Sequence, residues 1–419
     1  MKKQKIVSIM TIIIFLGILF GFAIAFVIKP SVSYSAEEKR NLQTFPEFTW
    51  QKLKDGEFTE GMNAYLNDQF PLRGWFVNFE CGIEQLLLKK ENNGVVFGKN
   101  DQMAVRLFSA HDGLNHEEGY VYPYVDFFYK EHVSAQLGIV KSYFKKFDEM
   151  QIPFTAILAP RTIDAAASAF DYPSENSDKL ISFVREKLKG ENYIDLYDNY
   201  RALYAKGEYV YFKTDHHWTT LGAYYAYAEV MKAFGMDYYD IDDFDVITAS
   251  DEFYGTTYAK AGNREISPDT IDYWVLKGDD PGNYTMKIKV EAEKNNGEEW
   301  KTFSGFYDFD YLDKLFEGSD KYSMFLSSTN GLTFITRNNA ENRQTLLLVK
   351  DSFGHSLAPF LALHFDLVVV DISMVPNLVN DYAFEADKVL LCYNLENIIK
   401  LKSLSKAANL YKLVDGGNE

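Results

Sequence analysis

Thr345-Leu-Leu-Leu-Val-Lys-Asp-Ser-Phe-Gly354 is the stretch on which the fold turns. Its apolar residues run from Leu346 to Val349 without polar alternation, the pattern of a strand buried on both faces. A helix is expected to follow, from about His355 to His364. Ser352 therefore falls at the carboxyl end of a buried strand, near a helix N-terminus. Open α/β sheets hold ligands at that edge. The helix dipole and free backbone N–H groups there suit an oxyanion.

The same rhythm extends outward in both directions. Phe154-Thr-Ala-Ile-Leu-Ala stops at Pro160-Arg161, and Tyr193-Ile-Asp-Leu, Leu367-Val-Val-Val-Asp and Lys388-Val-Leu-Leu-Cys read as further strands. Between them, Ser134–Met150, Asp178–Lys187 and Thr220–Phe234 carry helical periodicity, with Leu137, Val140, Tyr143, Phe144 and Phe147 on one face of the first. Near-continuous apolar strands alternating with helices predict an α/β fold, a parallel sheet with helices on both sides. Val95-Val-Phe reads as a short strand at the start of this region, and residues 48–91 read as helical with a break at Pro71. Residues 237–342 depart from the rhythm. They are rich in Asp, Gly, Asn and Tyr and contain alternating runs such as Tyr284-Thr-Met-Lys-Ile-Lys-Val, so they read as a β-rich insertion or subdomain.

A second stretch carries chemistry: Lys213-Thr-Asp-His-His-Trp-Thr-Thr-Leu-Gly222. Asp215 and His217 are two residues apart, so in an extended loop their side chains point the same way. A carboxylate so placed fixes one imidazole nitrogen as a donor and leaves the other free as a base. Thr219 or Thr220 suits the N-cap of the helix that follows. Ser352 is the matching nucleophile candidate. Arg161, at the end of a strand, and His216 are candidates for contacting substrate, and Trp218 is expected to fill the core beneath the loop. Neighbouring histidines in an extended loop point apart, and no further ligands lie at recognisable spacing, so neither a metal nor a cofactor is expected.

The Asp-His-His-Trp run and the later Asp-Ser-Phe resemble the DHHW protein family, which is related to the alginate O-acetylation proteins of the SGNH-hydrolase-like superfamily. Glu38-Lys-Arg-Asn-Leu42 with Pro46, Asp68-Gln-Phe-Pro-Leu-Arg73, Asn93-Gly-Val-Val-Phe-Gly-Lys99, and Asp351-Ser-Phe-Gly with Pro359-Phe-Leu also resemble elements of that family. The resemblance implies an SGNH-hydrolase-like three-layer α/β/α domain and a catalytic triad in which Asp215 orients, His217 is the base and Ser352 the nucleophile. Two positions depart from the related pattern. Lys350 stands where a glycine is usual in hydrolases of this type, and Asp371 is followed by Ile-Ser-Met where an Asp-x-Arg-Tyr is expected.

Lys2, Lys3 and Lys5 precede an uncharged apolar run from Ile6 to Ile28. Twenty or so apolar residues as a helix span roughly 30 Å of hydrocarbon. The run reads as an uncleaved signal anchor with its basic flank in the cytoplasm. The expected organisation is a cytoplasmic tail (1–5), a transmembrane anchor (6–28), a stalk (29–47) and an extracytoplasmic domain (48–419) containing the 237–342 insertion. The net charge of −17 excludes nucleic acid and anionic lipid headgroups as electrostatic partners of the chain as a whole. Cys81 and Cys392 either pair or remain as buried thiols.

These features together predict a membrane-bound, serine-dependent O-acetyltransferase or acetylesterase acting on a cell-surface polysaccharide through an acyl-enzyme. Acetyl-coenzyme A is absent outside the membrane, so transfer there requires a partner, a multi-pass membrane acyltransferase that delivers acetyl groups. The rival reading is a non-catalytic glycan-binding or scaffold component of a cell-envelope system. A plain lipid or small-ester hydrolase ranks below both, because no long apolar lid lies near the site.

Overall fold

The structure is a computed structural model. It describes residues 2–35, 37–106, 127–170, 177–290, 299–313, 320–374, 383–400, 404 and 410–414. The chain forms two compact units, Met1–Lys89 with Gly262–Glu265, and Lys90–Ala261 with Ile266–Glu419.

The first unit begins with helix α1 (Lys2–Ile28). Its segment Gln4–Ile28 has a mean hydropathy of 2.9 and is long and apolar enough to cross a membrane. Helices α2 (Glu57–Asp68) and α3 (Arg73–Leu86) flank Pro71, which has no N–H to continue a helix. The two polar motifs of this region meet in space. Arg40 grips the Asp68 carboxylate with both terminal nitrogens, at 2.6 and 3.1 Å, while its Nε donates to Glu38 at 2.7 Å. Arg73 also contacts Glu38.

The second unit is built on one eight-stranded sheet. In chain order its strands are β1 (Phe154–Ala159), β2 (Tyr193–Ile194), β3 (Tyr284–Val290), β4 (Glu299–Ser304), β5 (Leu332–Arg337), β6 (Thr345–Lys350), β7 (Asp366–Val370) and β8 (Lys388–Asn394). Across the sheet they run β4-β3-β5-β7-β6-β8-β1-β2. From β7 to β2 every pairing is parallel. On the other side of β7 the pairings are antiparallel.

Strand β6 shows why the parallel strands read as unbroken apolar runs. Leu346 and Leu348 enter one core, and Leu347 and Val349 enter the other. The first core is closed by helices α6 (Thr220–Ala233) and α7 (Gly354–Ala362), through residues such as Tyr227, Met231, Leu357 and Leu361. The second is closed by α4 (Phe127–Glu149) and α5 (Ser177–Lys187), through Leu137, Val140, Leu180 and Val184. The protein is thus a mixed α/β fold with a large, mostly parallel sheet.

Two segments differ from a simple alternating pattern. Residues 237–342 supply β3, β4 and β5, which extend the main sheet in the antiparallel sense. Their alternation follows from that position, with Met286 and Ile288 buried and Lys287 exposed. The same stretch begins the two-stranded hairpin Phe244–Phe253 with Asp269–Leu276. Val95–Phe97 lies outside the parallel sheet, in a separate three-stranded antiparallel sheet with Glu91–Asn92 and Met103–Val105. Such a short apolar run fits a small sheet as well as a large one. Cys81 and Cys392 are both buried and neither forms a disulfide.

Candidate active site

Ser352 leaves β6 in the tight turn before α7. The turn is clamped by the buried carboxylate of Asp351. Its Oδ1 accepts from the Phe353 N–H at 2.9 Å, and its Oδ2 accepts from the Asn394 N–H at 2.6 Å and Asn397 Nδ2 at 2.8 Å. Two of those donors are at or just past the end of β8, so the serine turn is tied to the neighbouring parallel strand. Burial raises the Asp351 pKa, and the N–H donors oppose that rise. Gly354 permits the close turn, because a Cβ there would lie 2.6 Å from Lys350 Cβ. Among the described residues the Ser352 N–H donates to no protein acceptor, so it is free to face an oxyanion.

The Asp215–His217 loop is drawn closed by Thr219 N–H to Val210 O at 3.0 Å and Phe212 N–H to His217 O at 3.2 Å. Asp269 holds its start, accepting from the Lys213 and Thr214 N–H groups at 2.9 and 2.7 Å. Thr219 caps α6, its side chain accepting from the Gly222 N–H at 3.2 Å. Trp218 is fully buried and donates Nε1–H to Phe353 O at 3.1 Å and Ser356 Oγ at 3.0 Å, joining this loop to the serine turn.

These two loops bring Asp215, His217 and Ser352 into one hydrogen-bonded line. Asp215 Oδ1 lies 2.5 Å from His217 Nδ1, and His217 Nε2 lies 2.6 Å from Ser352 Oγ. A carboxylate only accepts, so Nδ1 carries the proton and Nε2 accepts from the serine hydroxyl. The second carboxylate oxygen is also engaged. Asp215 Oδ2 accepts from the Thr256 N–H at 2.7 Å and from Thr256 Oγ1–H at 2.9 Å. Gly255 allows this approach, since a Cβ there would collide with the Asp215 side chain. The ring of Tyr322 lies flat on His217, with centroids 4.0 Å apart and planes at 10°. Its hydroxyl donates to Ser352 O at 3.0 Å, so one side chain braces both the imidazole and the serine backbone.

The electrostatics suit a resting base. Burial pushes the Asp215 carboxyl up, but the two imidazoles and the Thr256 N–H outweigh it and hold it well below the usual carboxylate range. Burial, and then charge on His216, lower His217 to about 4, with Asp215 opposing. His217 is therefore neutral at physiological pH, able to take the Ser352 proton, and backed by an anion that stabilises the imidazolium so formed.

The remaining expected residues lie as follows. His216 Nδ1 is 2.7 Å from Thr256 Oγ1. The Thr256 hydroxyl proton points to Asp215, so Nδ1 of His216 donates, and its half-exposed ring keeps Nε2 as an acceptor. Arg161 is 3% exposed, and its Nε and Nη2 donate to the two Asp164 oxygens at 2.8 Å each. Its guanidinium is thus built into the rim of the sheet. Asp215, His216 and His217 offer possible metal-ligand atoms within 4.8 Å of one another. The Asp215 oxygens and His217 Nε2 are committed to the hydrogen bonds above and both Nδ1 atoms carry protons, which leaves only His216 Nε2 open, so the set fits proton transfer better than a cation.

Thr256, Gly255 and Tyr322 escape a sequence reading because they reach the site only through the packing of residues 237–342. Lys350, the first departure from the related pattern, meets Asp371, the residue that precedes the second. Buried Lys350 Nζ lies 3.8 Å from Asp371 and 2.7 Å from His355 Nε2. Burial lowers the pKa of both Lys350 and His355.

Comparison with solved structures returns the same fold. A DHHW family protein from Eubacterium siraeum aligns with a TM-score of 0.53 and 20% identity, over 78% of this chain and 97% of that one. Bacillus cereus PatB1, solved with a sulfonyl adduct, aligns with a TM-score of 0.51 and 18% identity, over 65% of this chain and 92% of that one. No curated protein sequence matches the chain. The family model described as "DHHW protein" matches residues 124–371, which hold the Asp215–His217 loop, the serine turn and most of the sheet, and the chain belongs to the DHHW family.

Proposed function

We propose that the protein is an extracytoplasmic O-acetyltransferase of a cell-surface polysaccharide, working through an acetyl-enzyme on Ser352. Its second unit is read as an SGNH-hydrolase-like three-layer α/β/α domain, and Asp215, His217 and Ser352 as a catalytic triad. The observation that carries the reading is the 2.6 Å contact of His217 Nε2 with Ser352 Oγ, with Asp215 at 2.5 Å on the opposite nitrogen.

In this mechanism Ser352 Oγ attacks an acetyl carbonyl as its proton passes to His217 Nε2. The oxyanion forms against the free Ser352 N–H. Collapse expels the donor's oxygen, which takes the proton from Nε2, and leaves acetyl on Ser352. His217 then accepts a proton from an incoming hydroxyl, which attacks the acetyl-enzyme, and returns it to Ser352 Oγ. A sugar hydroxyl gives transfer and water gives hydrolysis, by the same intermediate. Nε2 of the half-exposed His216 ring is read as accepting from an acceptor hydroxyl, whereas Arg161, committed to Asp164, supports the rim. The family's likeness to alginate O-acetylation proteins favours transfer. The apolar helix α1 supports a membrane location, and the acetyl donor is read as a multi-pass membrane acyltransferase.

The test is labelling with a sulfonyl fluoride or fluorophosphonate, together with turnover of an activated acetyl ester. Wild type is expected to label at Ser352, and Ser352→Ala is expected to lose labelling and turnover. Asp215→Asn is expected to lower kcat on the order of 10⁴-fold by leaving Nδ1 without its acceptor. A folded wild type that neither labels nor turns over would overturn the reading in favour of a glycan-binding scaffold.

A further inference from the structure

The first unit carries an apolar surface that the proposed chemistry leaves unused. Helix α3 presents Trp75, Phe79 and Leu86 at spacings of four and seven residues, which is one face of a helix. Trp75 and Phe79 stack at 5.2 Å with planes at 7°, yet more than half the surface of each is exposed. Leu86, Leu87 and Leu88, at the end of the helix and just past it, are exposed by 76% or more. Soluble surfaces seldom leave so much contiguous apolar area open to water.

Its position within the unit indicates what covers it. Phe22 of α1 stacks on Phe70 at 5.5 Å and meets Phe76, in the first turn of α3, at 5.8 Å. Phe26 meets Tyr65 of α2 edge-on at 5.8 Å. A helix rises about 1.5 Å per residue and the hydrocarbon is about 30 Å thick, so a span centred on the apolar run is in lipid to about residue 27. Phe22 then lies about 7 Å below the hydrocarbon edge. The start of α3 is packed against it and shares that depth. An amphipathic helix with Trp, Phe and Leu on one face buries that face about 5–10 Å into the bilayer and lies in the interface plane.

We infer that α3 is an interfacial membrane helix whose Trp75–Phe79–Leu86 face is covered by the lipid of the outer leaflet. The inference rests on reading α1 as a spanning helix. Anchor and platform together fix the depth and tilt of the first unit, where a lone helix would leave both free to vary.

The test uses the full chain reconstituted into phosphatidylcholine vesicles, comparing lipids with and without bromine on their acyl chains. The difference in emission between wild type and Trp75→Phe isolates the Trp75 signal. That signal is expected to fall several-fold in brominated lipid and to resist aqueous iodide. Quenching by iodide but not by brominated lipid overturns the inference. Resistance to both quenchers also overturns it, because a second copy of the chain would then cover the face. Alkaline carbonate separates the two readings. A chain that stays in the membrane while Trp75 remains unquenched sinks the interfacial helix alone, and release of the chain sinks the spanning helix and the platform with it.

Discussion

His217 is the residue whose environment sets the pH behaviour of the site. Burial and the neighbouring His216 lower it to about 4, so only below that pH does it hold the proton that blocks its work. Activity on an acetyl ester is expected to rise as pH passes upward through about 4 and then to stay flat toward neutrality. His216→Asn keeps a donor for Thr256 Oγ1 and removes a competing charge. The imidazolium of His217 then forms more readily, and the acid limb of kcat/KM is expected to move toward neutral pH. An unmoved limb, measured across that range, would show that His216 charge does not reach its neighbour. The Asp-x-His pair and the serine are legible in the sequence because each sits in one short segment with a recognisable strand or cap beside it. Thr256 and Tyr322 have no local signature of that kind. A threonine after a glycine and a tyrosine in a turn acquire their roles only when distant segments pack. The same holds for Lys350, whose departure from the related pattern is matched by a buried contact with Asp371.

At the scale of elements, β6 places the serine and joins the two cores. Its neighbours Leu347 and Leu348 face opposite sides and are each fully buried. Leu347→Ala and Leu348→Ala are therefore each expected to cost about 2–5 kcal/mol in denaturant melts. In a strand covered on one face only, one of the two would be near neutral. The parallel strands are legible because burial on both faces writes them as unbroken apolar runs. The register of β3, β4 and β5 is not. Their alternating pattern fits a free-standing sheet or an edge extension equally, and what decides is the pairing of β5 with β7, Leu332 opposite Val370 and Ile335 opposite Leu367. That extension has a functional consequence, since the chain between β4 and β5 carries Tyr322 to the face of His217.

For the whole molecule the decisive asymmetry is electrical. Lys2, Lys3 and Lys5 stand before the apolar run of α1, and the rest of the chain takes the total to −17. Moving lysines across a bilayer is costly, and flanking basic residues hold their side of a span in the cytoplasm. On the proposed topology the acidic bulk, with the Ser352 site, lies outside, where acetyl-coenzyme A is absent and a cell-surface polysaccharide would be within reach. Replacing Lys2, Lys3 and Lys5 with glutamate removes that bias without touching the span. A reporter active only outside the membrane, fused to the C-terminus, is expected to lose a large part of its signal in this variant, with the chain still membrane-bound. Full signal in the variant would mean that translocation of the large domain, and not the basic flank, sets the orientation. No signal in the unaltered chain would place the site in the cytoplasm and remove the need for a membrane partner to supply acetyl groups.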